Sequence, residues 1–168
     1  QFADEVQLED FSNLEAMLAL AKEHKVDAIC AGCNDFSALS AAYVAEKLNL
    51  PGHDSLKTAE VIHHKDSYRK YASDKGIPSP KAMGLSSLKD AISAVRGFKL
   101  PFLVKPVDLT GGKGISKVVD LSDAAEALEN AFSISKAKRI VIEEFIEGGR
   151  HGLSAILRSG KIVFSFSD

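Results

Sequence analysis

Leu103-Val104-Lys105-Pro106-Val107-Asp108-Leu109-Thr110-Gly111-Gly112-Lys113-Gly114 is the stretch on which the fold of this chain turns. An apolar strand ends in a lysine, and a loop with three glycines and a hydroxyl follows it. Glycine backbone can approach a polyphosphate closely and present its N–H groups as donors. Lys105 would be held by the strand and Lys113 carried on the loop, both supplying positive charge. A flexible hairpin loop kept soluble by its lysine has the same composition, so the segment alone leaves both readings open. The common nucleotide loops do not match it. A P-loop places Ser or Thr after its lysine, whereas Gly114 follows Lys113. A dinucleotide fingerprint opens a helix, whereas this loop opens a β-branched strand. The spacing of kinase glycine loops fails as well.

Further along, Ile140-Val141-Ile142-Glu143-Glu144-Phe145-Ile146-Glu147-Gly148-Gly149 reads as a buried strand that turns acidic, then aromatic and aliphatic, then glycine-rich. Its backbone can pair with the Watson–Crick edge of adenine. Glu143 can accept from the exocyclic amine, and Phe145 and Ile146 can pack on the ring. An edge strand with solvated glutamates is the plainer reading of this segment taken by itself.

Working outward, Ser12-Asn13-Leu14-Glu15 has the form of a capping box, and Leu14, Leu18 and Ala21 recur at helical spacing, predicting a helix over 12–24. The β-branched run 26–31 predicts a buried strand. Asn34 and Asp35 offer an N-cap for a helix ending near Leu48, with Pro51-Gly52 as its stop. This α-β-α order suggests a doubly wound, Rossmann-like layer, although one strand makes no sheet and its partners are expected upstream of Gln1. Two helical stretches follow from Ser55, the second over 65–75 with Gly76 as its stop. After the extended Ile77-Pro78-Ser79-Pro80, short elements alternate: strand 81–84, helix 87–96, strand 100–106, the glycine loop, strand 115–120, helix 122–135 and strand 139–146. A hairpin turning at Ser159-Gly160 completes the chain. The second unit thus reads as α+β, helices packed on a mainly antiparallel sheet, after an α/β beginning.

Bulk properties exclude some classes. The 23 acidic and 21 basic residues are scattered without a basic tract, giving no support for nucleic-acid or membrane-surface binding. No apolar run approaches the roughly 20 residues of a transmembrane helix, and no signal peptide is visible; a cytoplasmic location is expected. The chain starts at Gln1 and stops at Asp168 within an expected strand, so it reads as a piece of a longer protein. Its two cysteines, Cys30 and Cys33, form a C-x-x-C that lacks the partners of a zinc site. Two small residues at a strand end, or a redox dithiol, are the readings left for them. No histidine pair at i, i+4 spacing accompanies a carboxylate cluster, and no G-x-S-x-G occurs.

Three pieces in this order, His64-Lys65-Asp66…Gly76-Ile77-Pro78-x-Pro80, Leu100-Pro101-x3-Lys105-Pro106…Gly111-Gly112-Lys113-Gly114 and Val141-Ile142-Glu143-Glu144-Phe145-Ile146-Glu147-Gly148, resemble the ATP-grasp superfamily. The look is that of its carboxylate–amine ligases and carbamoyl-phosphate-synthetase-like members. Lys25-Val26-Asp27-Ala28-Ile29…Asn34-Asp35…Leu50-Pro51-Gly52 resembles the end of the domain that precedes the grasp fold. The resemblance divides the chain into the end of a Rossmann-like pre-ATP-grasp domain, 1–60, and a C-terminally truncated ATP-grasp nucleotide-binding part, 61–168.

The resemblance implies that Lys65 and Lys105 reach the phosphates of ATP. It implies that Thr110, Gly111, Gly112, Lys113 and Gly114 fold over the β- and γ-phosphates, and that Glu143, the backbone of Glu144 and Ile146, and Phe145 hold adenine. The implied reaction phosphorylates a small carboxylate-bearing substrate to an acyl phosphate, which an amine or similar nucleophile attacks. Mg2+ would accompany ATP, and the parent protein could be a homodimer. A nucleotide-binding regulator or kinase-like member without ligase activity is the alternative, and a thiol redox module on Cys30 and Cys33 a third reading. The sequence departs from the family in two places. Arg150 stands where many members carry a ribose-binding Glu, which leaves the neighbouring His151 as a candidate for part of that role. The family's magnesium carboxylates and Asn are expected on strands after Asp168, itself no adequate substitute, so the chain alone is expected to be inactive.

Overall fold

A computed structural model describes residues 3–32, 34–149 and 151–167. Cys33, Arg150 and Asp168, on which parts of the sequence reading fall, lie outside the described residues. The chain begins with four helices, α1 (Leu14–Glu23), α2 (Asp35–Leu48), α3 (Leu56–His63) and α4 (Lys65–Asp74). Strand β1 (Ala82–Leu85), helix α5 (Leu88–Ala94) and strands β2 (Phe102–Pro106) and β3 (Ser116–Val118) follow. Helix α6 (Ala124–Ile134), strand β4 (Ile140–Glu144) and a hairpin of β5 (Leu153–Arg158) and β6 (Lys161–Ser167) complete it. Among the described residues, no helix is long and apolar enough to cross a membrane.

Strands β1 to β4 form one sheet in the order β1-β4-β2-β3, antiparallel throughout. Because side chains alternate along a strand, its two faces differ sharply. Phe102, Val104, Val118, Ile140 and Ile142 point to α5 and α6, where Ala91, Val95, Leu128 and Ala131 close a continuous core. The opposite face carries Leu103 and Lys105 from β2, registered against Glu143 and Val141 of β4. Helix α4 lies across that second face. Its amide N–H at Lys65 donates to the Val107 carbonyl at 3.1 Å, tying the helix start to the end of β2. Gly76, at φ +66°, ends α4: its N–H bonds Ser73 O at 3.1 Å and that of Ile77 bonds Ala72 O at 2.9 Å, the paired bonds of a Schellman cap.

The helical N-terminal unit packs around Leu18, Ala21 and Val44. Asn34 caps α2 as expected, accepting from the N–H groups of Phe36 and Ser37. Two expectations need correction. Asn13, not Ser12, caps α1, because the hydroxyl and N–H of Ser12 both turn back to Asp10. Residues 26–31 form no strand: Val26 and Ile29 are only partly buried against the small helical core. Among the described residues no strand runs beside this segment, and side chains meet two of its carbonyls instead. His53 Nε2 lies 2.8 Å from Ile29 O, and the Ser37 hydroxyl donates to Ala31 O. The β-branched composition was right for a strand, but pairing, which composition does not contain, decides.

The hairpin turns through Ser159 and Gly160, at φ +50° and +72°, the positive pair a two-residue type I′ turn requires. Among the described residues its strands pair only with each other, and all of their described residues are exposed.

Candidate nucleotide site

The second face of the sheet collects cations around one buried carboxylate. Glu143 keeps only 4% of its side chain exposed. Lys105 Nζ donates to its Oε1 at 2.7 Å, and Arg69 reaches the same carboxylate from α4, with Nε 2.9 Å from Oε2 and Nη2 3.1 Å from Oε1. Arg69 is itself steadied by its Nη1, 3.3 Å from Ser79 Oγ. Burial pushes the Glu143 carboxyl up, but the hydrogen bonds and charges of Arg69 and Lys105 outweigh it and hold the group below the usual carboxylate range. Lys65, at the first position of α4, turns its ammonium onto the Leu109 carbonyl at the root of the glycine loop. Burial, and then the charge of Lys105, push the Lys65 ammonium below its ordinary value. Lys65 therefore lies close enough to Lys105 to feel its charge, and a single carboxylate is bonded between Lys105 and Arg69.

The loop 110–114 leaves this face between β2 and β3 rather than opening a helix, as expected from its sequence. Two turn bonds of 3.3 Å span it, Lys113 N–H to Thr110 O and Ile115 N–H to Gly112 O. Gly111, Gly112 and Gly114 all sit at positive φ, +65°, +78° and +69°, conformations that cost other residues energy. A Cβ on Gly111 or Gly112 would meet open space, whereas one on Gly114 would fall 2.1 Å from Ile134 Cδ1. The end of the loop is therefore packed while its middle stays free to approach a ligand. Lys113 is exposed. Thr110 and Lys65 also line a cavity of about 440 Å³ shared with Asp35, His53 and His63 of the helical unit.

The hinge residues are less tightly gathered. The N–H of Glu144 donates to Lys81 O at 2.8 Å, and its Oε2 accepts from Lys81 N–H at 3.1 Å, so this residue clasps the start of β1. Phe145 is partly buried beneath Lys117, whose Nζ sits 3.7 Å from the ring centroid. Ile146 is 59% exposed. His151 is exposed, and among the described residues no hydrogen bond or ion pair joins it to Lys65, Lys105 or Glu143. Cys30 is an exposed free thiol.

Sequence reasoning missed three supporting residues. Arg69 stands four residues after Lys65, so the helical period places both on one face of α4; that spacing was the signal available. Asp108 read as a loop residue but is buried, accepting the Ser135 hydroxyl at 3.0 Å and the Ala137 N–H at 2.6 Å. Arg139 holds Asp66 through two bonds of 2.9 and 3.2 Å, fastening the first turn of α4 to the base of β4. No local pattern announces either of these.

With this arrangement in view, the comparison with known proteins is decisive. Residues 63–166 match the ATP-grasp (A) domain of phosphoribosylglycinamide synthetase. This chain belongs to the ATP-grasp family. The matched span contains the four-stranded sheet, the glycine loop and the three cations. Over 163 residues the chain is 26% identical to a phosphoribosylamine–glycine ligase of Lactococcus lactis, covering 95% of this chain and 39% of that protein. Solved structures share the fold, two of them as follows. An L-amino acid ligase from Bacillus licheniformis superposes with a TM-score of 0.71 at 24% identity, over 92% of this chain and 35% of its own. The biotin carboxylase domain of Hydrogenobacter thermophilus 2-oxoglutarate carboxylase, a dimer solved with MgADP and bicarbonate, gives 0.70 at 22% identity, over 90% and 36%. The chain thus spans well under half the length of these relatives.

Proposed function

We propose that this ATP-grasp chain is the ATP-holding part of a cytoplasmic carbon–nitrogen ligase, in which a small carboxylate substrate is activated as an acyl phosphate and captured by an amine. The observation that carries the reading is that Lys105 and Arg69 share Glu143 on one sheet face while Lys65 holds the carbonyl at the root of the glycine loop. Lys65 and Lys105 would hold the phosphates, with residues 110–114 folding over them and offering backbone N–H groups. Glu143, the backbone of Glu144 and Ile146, and Phe145 would receive adenine, and His151 part of the ribose. ATP supplies the phosphoryl group when bound; the chain's own residues neutralise charge on it and keep the reactants in line. Residues 1–60 would be the end of a pre-ATP-grasp unit and 61–168 the nucleotide-binding part of the grasp fold. The carbamoyl-phosphate-synthetase-like branch is the kind we assign it to, and a homodimer, as in the Hydrogenobacter domain, is the assembly we assign to the whole protein.

The fit differs for the two groups this reaction needs. The cationic face and open glycine backbone suit a polyphosphate. Among the described residues, no three His, Cys, Asp or Glu side chains group to hold a metal ion.

Calorimetric titration of ATP into the full-length protein tests the reading. Lys105→Met should weaken binding about tenfold to a hundredfold, the equivalent of one charge-assisted hydrogen bond. Unchanged affinity in that variant would remove the phosphate assignment.

A further inference from the structure

Glu143 accepts three bonds and has little room for more. Oε1 takes both Lys105 Nζ and Arg69 Nη2, while Oε2 takes Arg69 Nε alone. A carboxylate oxygen accepts about two donors, so one acceptor position remains, on Oε2. Lys105 commits one of its three N–H donors to this carboxylate, and a phosphate that drew the ammonium off would have to break that bond. Its departure would leave a buried negative charge, which is strongly unfavourable unless another cation stays. Arg69 is that cation. It bridges both oxygens, comes from a different element, and is tied to Ser79 without reference to Lys105.

Resting on the ATP reading above, we propose that Arg69 is a positioning residue for nucleotide binding: it holds Glu143 in place on its own and so frees Lys105 to move to an ATP phosphate. When Lys105 turns away, Oε1 gains an open acceptor position while its bond to Arg69 persists. Arg69 thus acts on the phosphate through Glu143 and Lys105 without touching it. A guanidinium suits the task because its planar fork spans both carboxylate oxygens and keeps its charge across the physiological range.

ATP affinity of the full-length protein, measured by calorimetry beside circular dichroism for folding, tests this with four variants. Arg69→Met traps Lys105 on Glu143 and should weaken ATP at least about tenfold, whereas Arg69→Lys, which keeps a cation there, should stay within about fivefold of the native protein. Glu143→Gln removes the charge that traps Lys105, so the Arg69→Met/Glu143→Gln protein should bind within about fivefold of Glu143→Gln alone. A merely structural arginine would not be rescued by removing its partner's charge. Native-like affinity in Arg69→Met, or a double variant weaker than Arg69→Met, overturns the proposal. If Arg69→Met does not fold, Arg69→Lys and the double variant carry the comparison: both within fivefold of their references supports it, and a larger loss in either overturns it. Failure of the ATP reading shows separately, as native-like binding by Lys105→Met. A weakened Lys105→Met beside a native-like Arg69→Met overturns the Arg69 inference alone.

Discussion

Glu143 is gripped by three side-chain hydrogen bonds from two elements, whereas residues 110–114 are spanned by two turn bonds of 3.3 Å. Both regions contribute groups suited to a polyphosphate, Lys105 from the sheet and glycine backbone from the loop. The sheet face is preorganised: Lys105 and Glu143 sit on paired strands, and Asp66–Arg139 clamps the covering helix. The loop is fixed only at its margins, by Asp108 at its root and by the close packing of Gly114 against Ile134. A site of this kind has a rigid floor and a cover free to order on a ligand, which is how loops commonly serve on rigid scaffolds. The β5–β6 hairpin extends the contrast, since Leu157, Ile162 and Phe166 remain more than half exposed.

The largest expected effect strikes the floor. Leu128 is fully buried between α6 and the sheet, so Leu128→Ala should cost about 2–5 kcal/mol in urea unfolding. A loss below about 1 kcal/mol would show that the sheet is not the rigid part. Next comes the root of the loop. Asp108→Ala leaves the Ser135 hydroxyl and the Ala137 N–H without their acceptor and should cost about 1–3 kcal/mol in the same measurement. Asp108→Asn, whose carbonyl can still face Ala137 N–H, should lose less than the alanine variant. Equal losses would mean that the charge, not the acceptor geometry, anchors the root. The smallest effect belongs to the hairpin, where Ile156 is 60% exposed; Ile156→Ala should stay within about 0.5 kcal/mol.

The parts of this contrast were unequally legible in the sequence. Lys105 and the glycine cluster stood out because local chemistry marks them, a lysine ending an apolar strand and three glycines in the loop after it, whereas Lys65 came from the family resemblance alone. The sheet was legible as short alternating strands, and the turn at Ser159-Gly160 as a hairpin. What failed to show was pairing across long stretches of chain. Arg69 meets Glu143 across 74 residues and Arg139 meets Asp66 across 73, distances over which no periodicity carries information. The same limit explains residues 26–31, where strand composition without a paired neighbour gave an irregular segment. At α1 the error was finer: Ser12 and Asn13 are both good caps, and Asp10 settled the choice by taking the serine.

Hydrogen–deuterium exchange of the full-length protein with and without ATP tests the rigid floor and the ordering cover together. The amides of residues 110–114 should slow by about tenfold or more when ATP is added, while those of β2 and β4, already protected, should change little. Exchange in 110–114 that ATP leaves unchanged, under conditions where calorimetry shows it bound, would contradict the placement of the phosphates beneath this loop.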